Sequence, residues 1–233
     1  MGTTNVTPEE LNYHGYTTAQ YEQEIRVSIP FHAEVHGEIQ EFLCETWEPE
    51  AALSVLDLGC GTGLTTQIIR ETLPKSVFTL VDFSNNMLDG ARQKFGGGNV
   101  RYVCQDYSKM SVSSGKYNIV ASVIGLHHQT DVGKLAMFTK IRQALVPENG
   151  VFIFADLVTF RDRHRAALEA ARHYNHLVEK ATSARMLSEW AYHHMFLNQL
   201  APYEDQLEWL YWAGFTSVNV RFLKYQTVLI VAQ

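Results

Sequence analysis

Leu53-Ser54-Val55-Leu56-Asp57-Leu58-Gly59-Cys60-Gly61-Thr62-Gly63 is the stretch on which the fold turns. A short apolar run closes on Asp57, glycines alternate at positions 59, 61 and 63, and helix-forming residues follow from Leu64. The pattern predicts a buried strand, a tight turn and a helix start. Glycine lets the backbone turn sharply and puts no Cβ between the loop and a ligand. The helix that follows aims its free N–H groups back at whatever the turn cradles. The spacing is not that of a dinucleotide turn, which needs its third glycine three residues after the second; here Gly63 follows Gly61 by two. Asp57 would repel a pyrophosphate and suits a ligand that is cationic and donates hydrogen bonds.

Working outward, residues 64–73 form a helix stopped by Pro74, and 77–82 form a second buried strand ending in Asp82. A carboxylate only accepts hydrogen bonds, so Asp82 can take both hydroxyls of a ribose. The other use of an acid there, capping a helix, is better filled by Ser84. Residues 85–94 read as a helix closed by Gly96-Gly97-Gly98, and 100–104 as a third strand followed by Asp106 and Tyr107. A fourth strand over 117–123 runs into Ile124-Gly125-Leu126-His127-His128. Strand ends of this kind face the crevice of an open α/β sheet. A histidine there can act as general base; alternatively one ring packs and the other caps the helix over 132–145. After the turn Pro147-Glu148-Asn149-Gly150 comes a fifth strand, 151–157, carrying Asp156. A last helix, closing at Gly214, and two strands over 215–223 and 226–231 complete the pattern.

The Asp-x-Gly-x-Gly-x-Gly run resembles motif I of the class I S-adenosylmethionine-dependent methyltransferases, and the resemblance extends over residues 53–233. It implies an α/β fold: a Rossmann-like, doubly wound, seven-stranded sheet, six strands parallel and one antiparallel. An N-terminal helical lid over 1–50 and a helical cap over about 160–200, before the last helix, flank the domain at 51–233. The implied cofactor is S-adenosylmethionine. The residues that the resemblance assigns to it are Asp57, Gly59, Gly61, Asp82, Phe83, Met87, Asp106, Tyr107 and Ile124, with Arg26 from the lid. Asp106 falls where this family takes the adenine amino group, and Leu126-His127-His128 where it shapes the ground between cofactor and substrate. Ile25-Arg26-Val27-Ser28-Ile29-Pro30 is similar to a segment of the tRNA-uridine-oxyacetate methyltransferase and carboxy-S-adenosylmethionine synthase group.

The N-terminal stretch is aromatic, with Tyr13, Tyr16 and Tyr21, and opens on a helix start at Thr7-Pro8; a helix over 31–47 follows. Residues 161–200 contain no glycine or proline and interleave histidines with aromatics, including Tyr174. Such a stretch is either core packing or a pocket for a small planar or cationic ligand. Arg161, Arg163 and Arg165 are either an anion site or a solvated helix face. His127, Tyr174 and Tyr21 are the candidate catalytic residues. No Cys-x-x-Cys or His-Glu-x-x-His occurs and the histidines lack ligand spacing, so no metal is expected.

With 233 residues, 46% of them hydrophobic, one full core is expected. A net charge of −6 argues against a nucleic-acid backbone as partner. Three scattered cysteines, no apolar run of bilayer length and no signal-peptide pattern lead to the expectation of a cytoplasmic protein, with a homodimer compatible. The expected activity is transfer of the activated methyl to nitrogen or oxygen of a small-molecule acceptor in biosynthesis. The alternatives are another reaction of the same sulfonium, namely cyclisation of its aminobutyrate arm to azetidine-2-carboxylate or carboxy-S-adenosylmethionine formation; a tRNA methyltransferase; and a non-catalytic binding module.

Overall fold

The computed structural model describes residues 6–11 and 17–233, the side chains of Pro8 and Glu9 excepted; Tyr13 and Tyr16 lie outside them. Seven strands form one sheet: β1 (Ser54–Leu58), β2 (Val77–Asp82), β3 (Val100–Cys104), β4 (Ile119–Val123), β5 (Val151–Leu157), β6 (Val218–Lys224) and β7 (Thr227–Ala232). Their order is β3-β2-β1-β4-β5-β7-β6. β7 runs antiparallel to both its neighbours, β5 and β6, and the other six strands are parallel. This is the expected doubly wound sheet.

Alternate residues of each strand feed two cores, as strand geometry dictates. On one face Leu56, Phe152, Phe154 and Ile230 pack with Phe138 and Ile141 of α6 (Asp131–Ala144) and Leu210 of α9 (Tyr203–Trp212). On the other, Val55, Leu80, Ile153 and Leu229 meet Ile39 and Leu43 of α3 (His32–Thr46), Ile69 of α4 (Leu64–Thr72), and Leu88 and Ala91 of α5 (Asn85–Phe95). Each fully buried phenylalanine is worth about 2–3 kcal/mol.

Local chemistry sets the element ends. Ser84 accepts from Met87 N to cap α5, and Asn149 takes φ 60° in the turn before β5, a conformation that asparagine tolerates. The expected start of β4 at 117 was early, because Tyr117 makes only a lone bridge with Leu145. The expected start of β6 at 215 was also early: Phe215 leaves the strand path to fill the core.

Two helical segments flank this sheet. α1 (Pro8–Leu11) and α2 (Thr18–Ser28) precede α3, and α7 (Arg163–Lys180) and α8 (Ala184–Tyr192) lie between β5 and α9. The second segment is not one helix. Ser183 caps a new start, and α8 runs into a π turn, His193–Leu197. Thr17 and Gln20 form a capping box that starts α2. Gly90 lets Thr18 approach α5 closely, since a Cβ there would lie 2.6 Å from Thr18 Cγ2, and Lys94 pairs with Glu22. Opposite, His176 Nε2 donates to the Val27 carbonyl at 2.8 Å. Among the described residues, no helix is long and apolar enough to cross a membrane.

Candidate active site

The strand order reverses between β1 and β4, where the chain ends of an open α/β sheet part and leave a crevice. The glycine turn leaves β1 on one side and Ile124-Gly125 leaves β4 on the other. Gly59 and Cys60 both donate to the Val81 carbonyl, which folds the turn over the end of β2. Gly63 sits at φ +85°, and a Cβ there would come within 2.4 Å of the Phe95 ring. Glycine is therefore required by space as well as by conformation.

Three cavities open on this crevice and meet at two side chains, Tyr21 and Ile124, which line all of them. The turn-side cavity holds Asp57, Thr62, Thr65 and His36. A second cavity, toward β2 and β3, holds Asp82, Phe83, Asp106, Tyr107, Gly125 and His128. The third, about 120 Å³, lies beneath α7, α8 and the π turn, lined by Glu24, Ile25, His127, His173, Glu189, Trp190, His193 and His194. Ile124 reaches the junction with φ at +56°, a left-handed conformation that costs a β-branched residue on the order of 1–3 kcal/mol. Strained conformations of this kind gather at active sites and ligand clamps.

The carboxylates are placed by the turns. Asp82 accepts from Gly61 N (2.9 Å) through Oδ2 and from Ser84 N (2.8 Å) through Oδ1, and the Phe83 backbone N–H is a third donor to it. Asp57 accepts from Thr66 Oγ1 at 2.6 Å. Burial raises both pKa values to about 6, against hydrogen bonds that lower them; for Asp57 the nearby Asp82 adds to the rise. Asp106 accepts from Ser108 N and Oγ and holds the short turn after β3. Tyr107 donates to the Gly125 carbonyl at 2.9 Å, locking the two loops across the crevice. The Tyr21 ring lies over Gly61, 3.5 Å from where a Cβ would stand.

His127 is 2% exposed and its Nδ1 engages Asp156. Burial, ahead of neighbouring cations, holds its pKa well below the ordinary histidine range, and burial lifts Asp156 to about 7. The expected base is thus a neutral imidazole with a carboxylate behind it. His128 is held by burial well below its ordinary pKa too, and its Nδ1 donates to the Leu197 carbonyl at 3.0 Å.

Three expected site residues are placed elsewhere. Tyr174 is 41% exposed; α7 turns Glu169, His173 and Leu177 inward at four-residue intervals, so the inward-facing ring is the preceding His173. Arg26 is exposed, because α2 presents Tyr21, Glu24, Ile25 and Ser28 to the cavities and Arg26 falls off that stripe. Met87 is buried against the sheet in the first turn of α5, outside the lining of the three cavities. In the arginine cluster Arg161 pairs with Asp205 and Glu208, Arg165 stacks on Phe160 and Arg163 is exposed; farther along α7, Arg172 pairs with Glu169. Trp190 and His193 were legible only as members of the aromatic 161–200 stretch, and Glu24 went unread in the sequence. A period-of-four stripe through Tyr21 was the signal available for Glu24.

Residues 55–148 match a family model described as a methyltransferase domain. A malonyl-[acyl-carrier protein] O-methyltransferase of Acetivibrio thermocellus is 29% identical over 119 residues, 50% of this chain and 41% of that protein. A demethylmenaquinone methyltransferase of Chlamydia caviae is 27% identical over 158 residues, 67% of each chain. The crystal structure of an S-adenosylmethionine dependent methyltransferase from Mesorhizobium loti shares the fold, with TM-score 0.59 and 19% identity, covering 82% of this chain and 95% of that one. Matched stretches cover between 25% and 61% of malonyl-[acyl-carrier protein] O-methyltransferase relatives. The family match runs from the first strand through the switch point to the turn before β5, so this part of the chain carries the methyltransferase-domain similarity.

Proposed function

We propose that the protein is an S-adenosylmethionine-dependent enzyme that transfers the activated methyl group to nitrogen or oxygen of a small-molecule acceptor. The observation that carries this reading is the meeting of three cavities at Tyr21 and Ile124. A nucleoside, an amino-acid arm and an acceptor each need one lobe, with the transferred carbon at their junction. Residues 1–50 serve as lid and residues 160–200 as cap.

The residues fit the cofactor. Asp82 lines its lobe with an acceptor-only carboxylate for the ribose hydroxyls, and Asp57 in the turn-side lobe offers a carboxylate near an ammonium. Asp106 and Phe83 line the adenine end, and the Gly59 and Gly61 backbone leaves the space a Cβ would fill. S-adenosylmethionine brings a methyl already activated on a sulfonium, so the chain needs no covalent nucleophile. Its residues bind, align and exclude water. Tyr21 covers the turn, and His127, backed by Asp156, accepts the acceptor's proton at Nε2.

A second reading has its own observation. The cap-side cavity is walled by Glu24 and Glu189 as well as aromatics. Carboxylates beside aromatic rings suit a cationic guest, here the folded-back aminobutyrate arm itself, whose nitrogen would displace sulfur at the γ-carbon and release methylthioadenosine.

Incubation of the protein with S-adenosylmethionine, alone and with candidate amines, phenols and acids, separates the two by mass spectrometry. S-adenosylhomocysteine formed only with an acceptor supports methyl transfer. Methylthioadenosine formed without one, above the non-enzymatic background and together with azetidine-2-carboxylate, replaces it with cyclisation, and absence of calorimetric binding overturns both.

A further inference from the structure

His127 and His128 leave the end of β4, and His193 opens the π turn at the far end of the cap, yet one ring nitrogen from each lies within 4.8 Å of the others. The rings of His127 and His128 are centred 4.0 Å apart, and those of His128 and His193 5.1 Å apart. The Nδ1 of His128 is committed to the Leu197 carbonyl and that of His127 to Asp156. Both of these rings therefore keep Nε2 available as a lone pair.

Gripping the remote nitrogen of an imidazole with a carboxylate or a carbonyl is how proteins orient histidine on a metal ion and raise its basicity. A bare set of converging lone pairs has no such use and gains nothing from being buried. Asp156 has in addition a buried oxygen, Oδ2, with no hydrogen-bond partner. The π turn is a second, independent feature. It breaks the α-helical rotation so that consecutive residues His193 and His194 both face the cap-side cavity, and such turns gather at functional positions.

We propose that His127, His128 and His193 form a three-imidazole site for a late first-row divalent ion of the zinc and cobalt class. The all-nitrogen donor set excludes magnesium and calcium, which take oxygen. Tetrahedral bonds of about 2.0 Å need donors about 3.3 Å apart, and rotation of the partly exposed His193 closes the gap. His128 lines the β2/β3-side cavity while His127 and His193 line the cap-side one, so the ion sits in the wall between them. Three protein ligands leave a fourth position open toward oxygen or nitrogen of a bound molecule. That molecule is the acceptor on the reading proposed above, with His127 Nε2 then a ligand of the ion and not the base; the ion site itself does not depend on that reading.

The test uses untagged full-length protein, freed of metal by chelation and titrated with cobalt(II) chloride in the absence of S-adenosylmethionine. One equivalent is expected, with the visible absorption of low-symmetry, nitrogen-ligated cobalt. His193→Gln and His128→Gln lose both the band and the bound equivalent, and the exposed His164→Gln keeps both. Because a variant of a buried histidine can unfold, the wild-type melting temperature is followed as well; it rises by several degrees with stoichiometric zinc and falls back with chelator. No cobalt band and no zinc-dependent shift in the wild type overturns the proposal, as does a band that survives both substitutions in folded protein.

Discussion

The indole Nε1 of Trp190 donates to Glu24 Oε2 across 3.2 Å, fastening the helical segment after β5 to the one before β1. Both side chains line the cap-side cavity, so the bond closes its roof. Replacing Trp190 with phenylalanine keeps an aromatic ring and removes the donor. A loss of about 1 kcal/mol is expected, or a fall of a few degrees in Tm, together with faster proteolytic cleavage around α2. Unchanged cleavage would show that the two segments are held by something else.

Asp82 bridges the glycine turn and the start of α5, using Gly61 N and Ser84 N. Asp82→Asn keeps one acceptor oxygen and removes the charge. S-adenosylmethionine affinity is expected to fall at least about tenfold, equivalent to ~1.4 kcal/mol, while circular dichroism stays native. Equal calorimetric affinities in variant and wild type would remove Asp82 from the ribose.

Burial raises the pKa of both Asp57 and Asp82 to about 6 in the free protein. A carboxyl whose folded pKa lies above its unfolded value favours the fold most below the unfolded value. That contribution is lost as pH rises through about 6. A ligand that offers an ammonium and two hydroxyls reverses the preference by stabilising the charged forms. S-adenosylmethionine binding is therefore expected to tighten from pH 5 to pH 7 and to level off above. Calorimetry across that range reads the slope, and a flat profile would place both carboxylates outside the binding equilibrium.

Gly63→Ala puts a Cβ 2.4 Å from the Phe95 ring in a residue held at φ +85°. A loss on the order of 2–3 kcal/mol is expected from clash and backbone strain together. The double variant with Phe95→Leu should recover the clash and leave the strain. Chemical denaturation of the two single variants and the double resolves the terms, and no recovery would mean that the ring is free to move aside.

The sheet was legible because its signals are local. The alternating cores of Val55 and Leu56, or of Leu229 and Ile230, follow from a period of two, and the glycine turn announces the β1–α4 corner. Asp57, Asp82 and Asp106 could be located because each ends a strand or follows one closely, and strand ends share one rim of such a sheet. The cap was opaque for the opposite reason. Whether α7 turns His173 or Tyr174 inward depends on helix phase, which a run rich in both aromatics and imidazoles does not reveal. The meeting of His193 with His127 and His128 depends on a π turn and on a contact between distant parts of the chain. Neither leaves a spacing to read.

Helix α2 is stitched along both flanks, to α5 through Thr18 and Glu22 and to the cap through Glu24 and Val27. A helix held this way is a door with two seams, and the seams do not open onto the same room. Parting from α5 exposes the lobe of Asp82, whereas parting from the cap exposes the lobe of Trp190 and His193. Access to the two lobes is thus governed by two separate seams, and weakening only one of them is expected to open one lobe and leave the other closed.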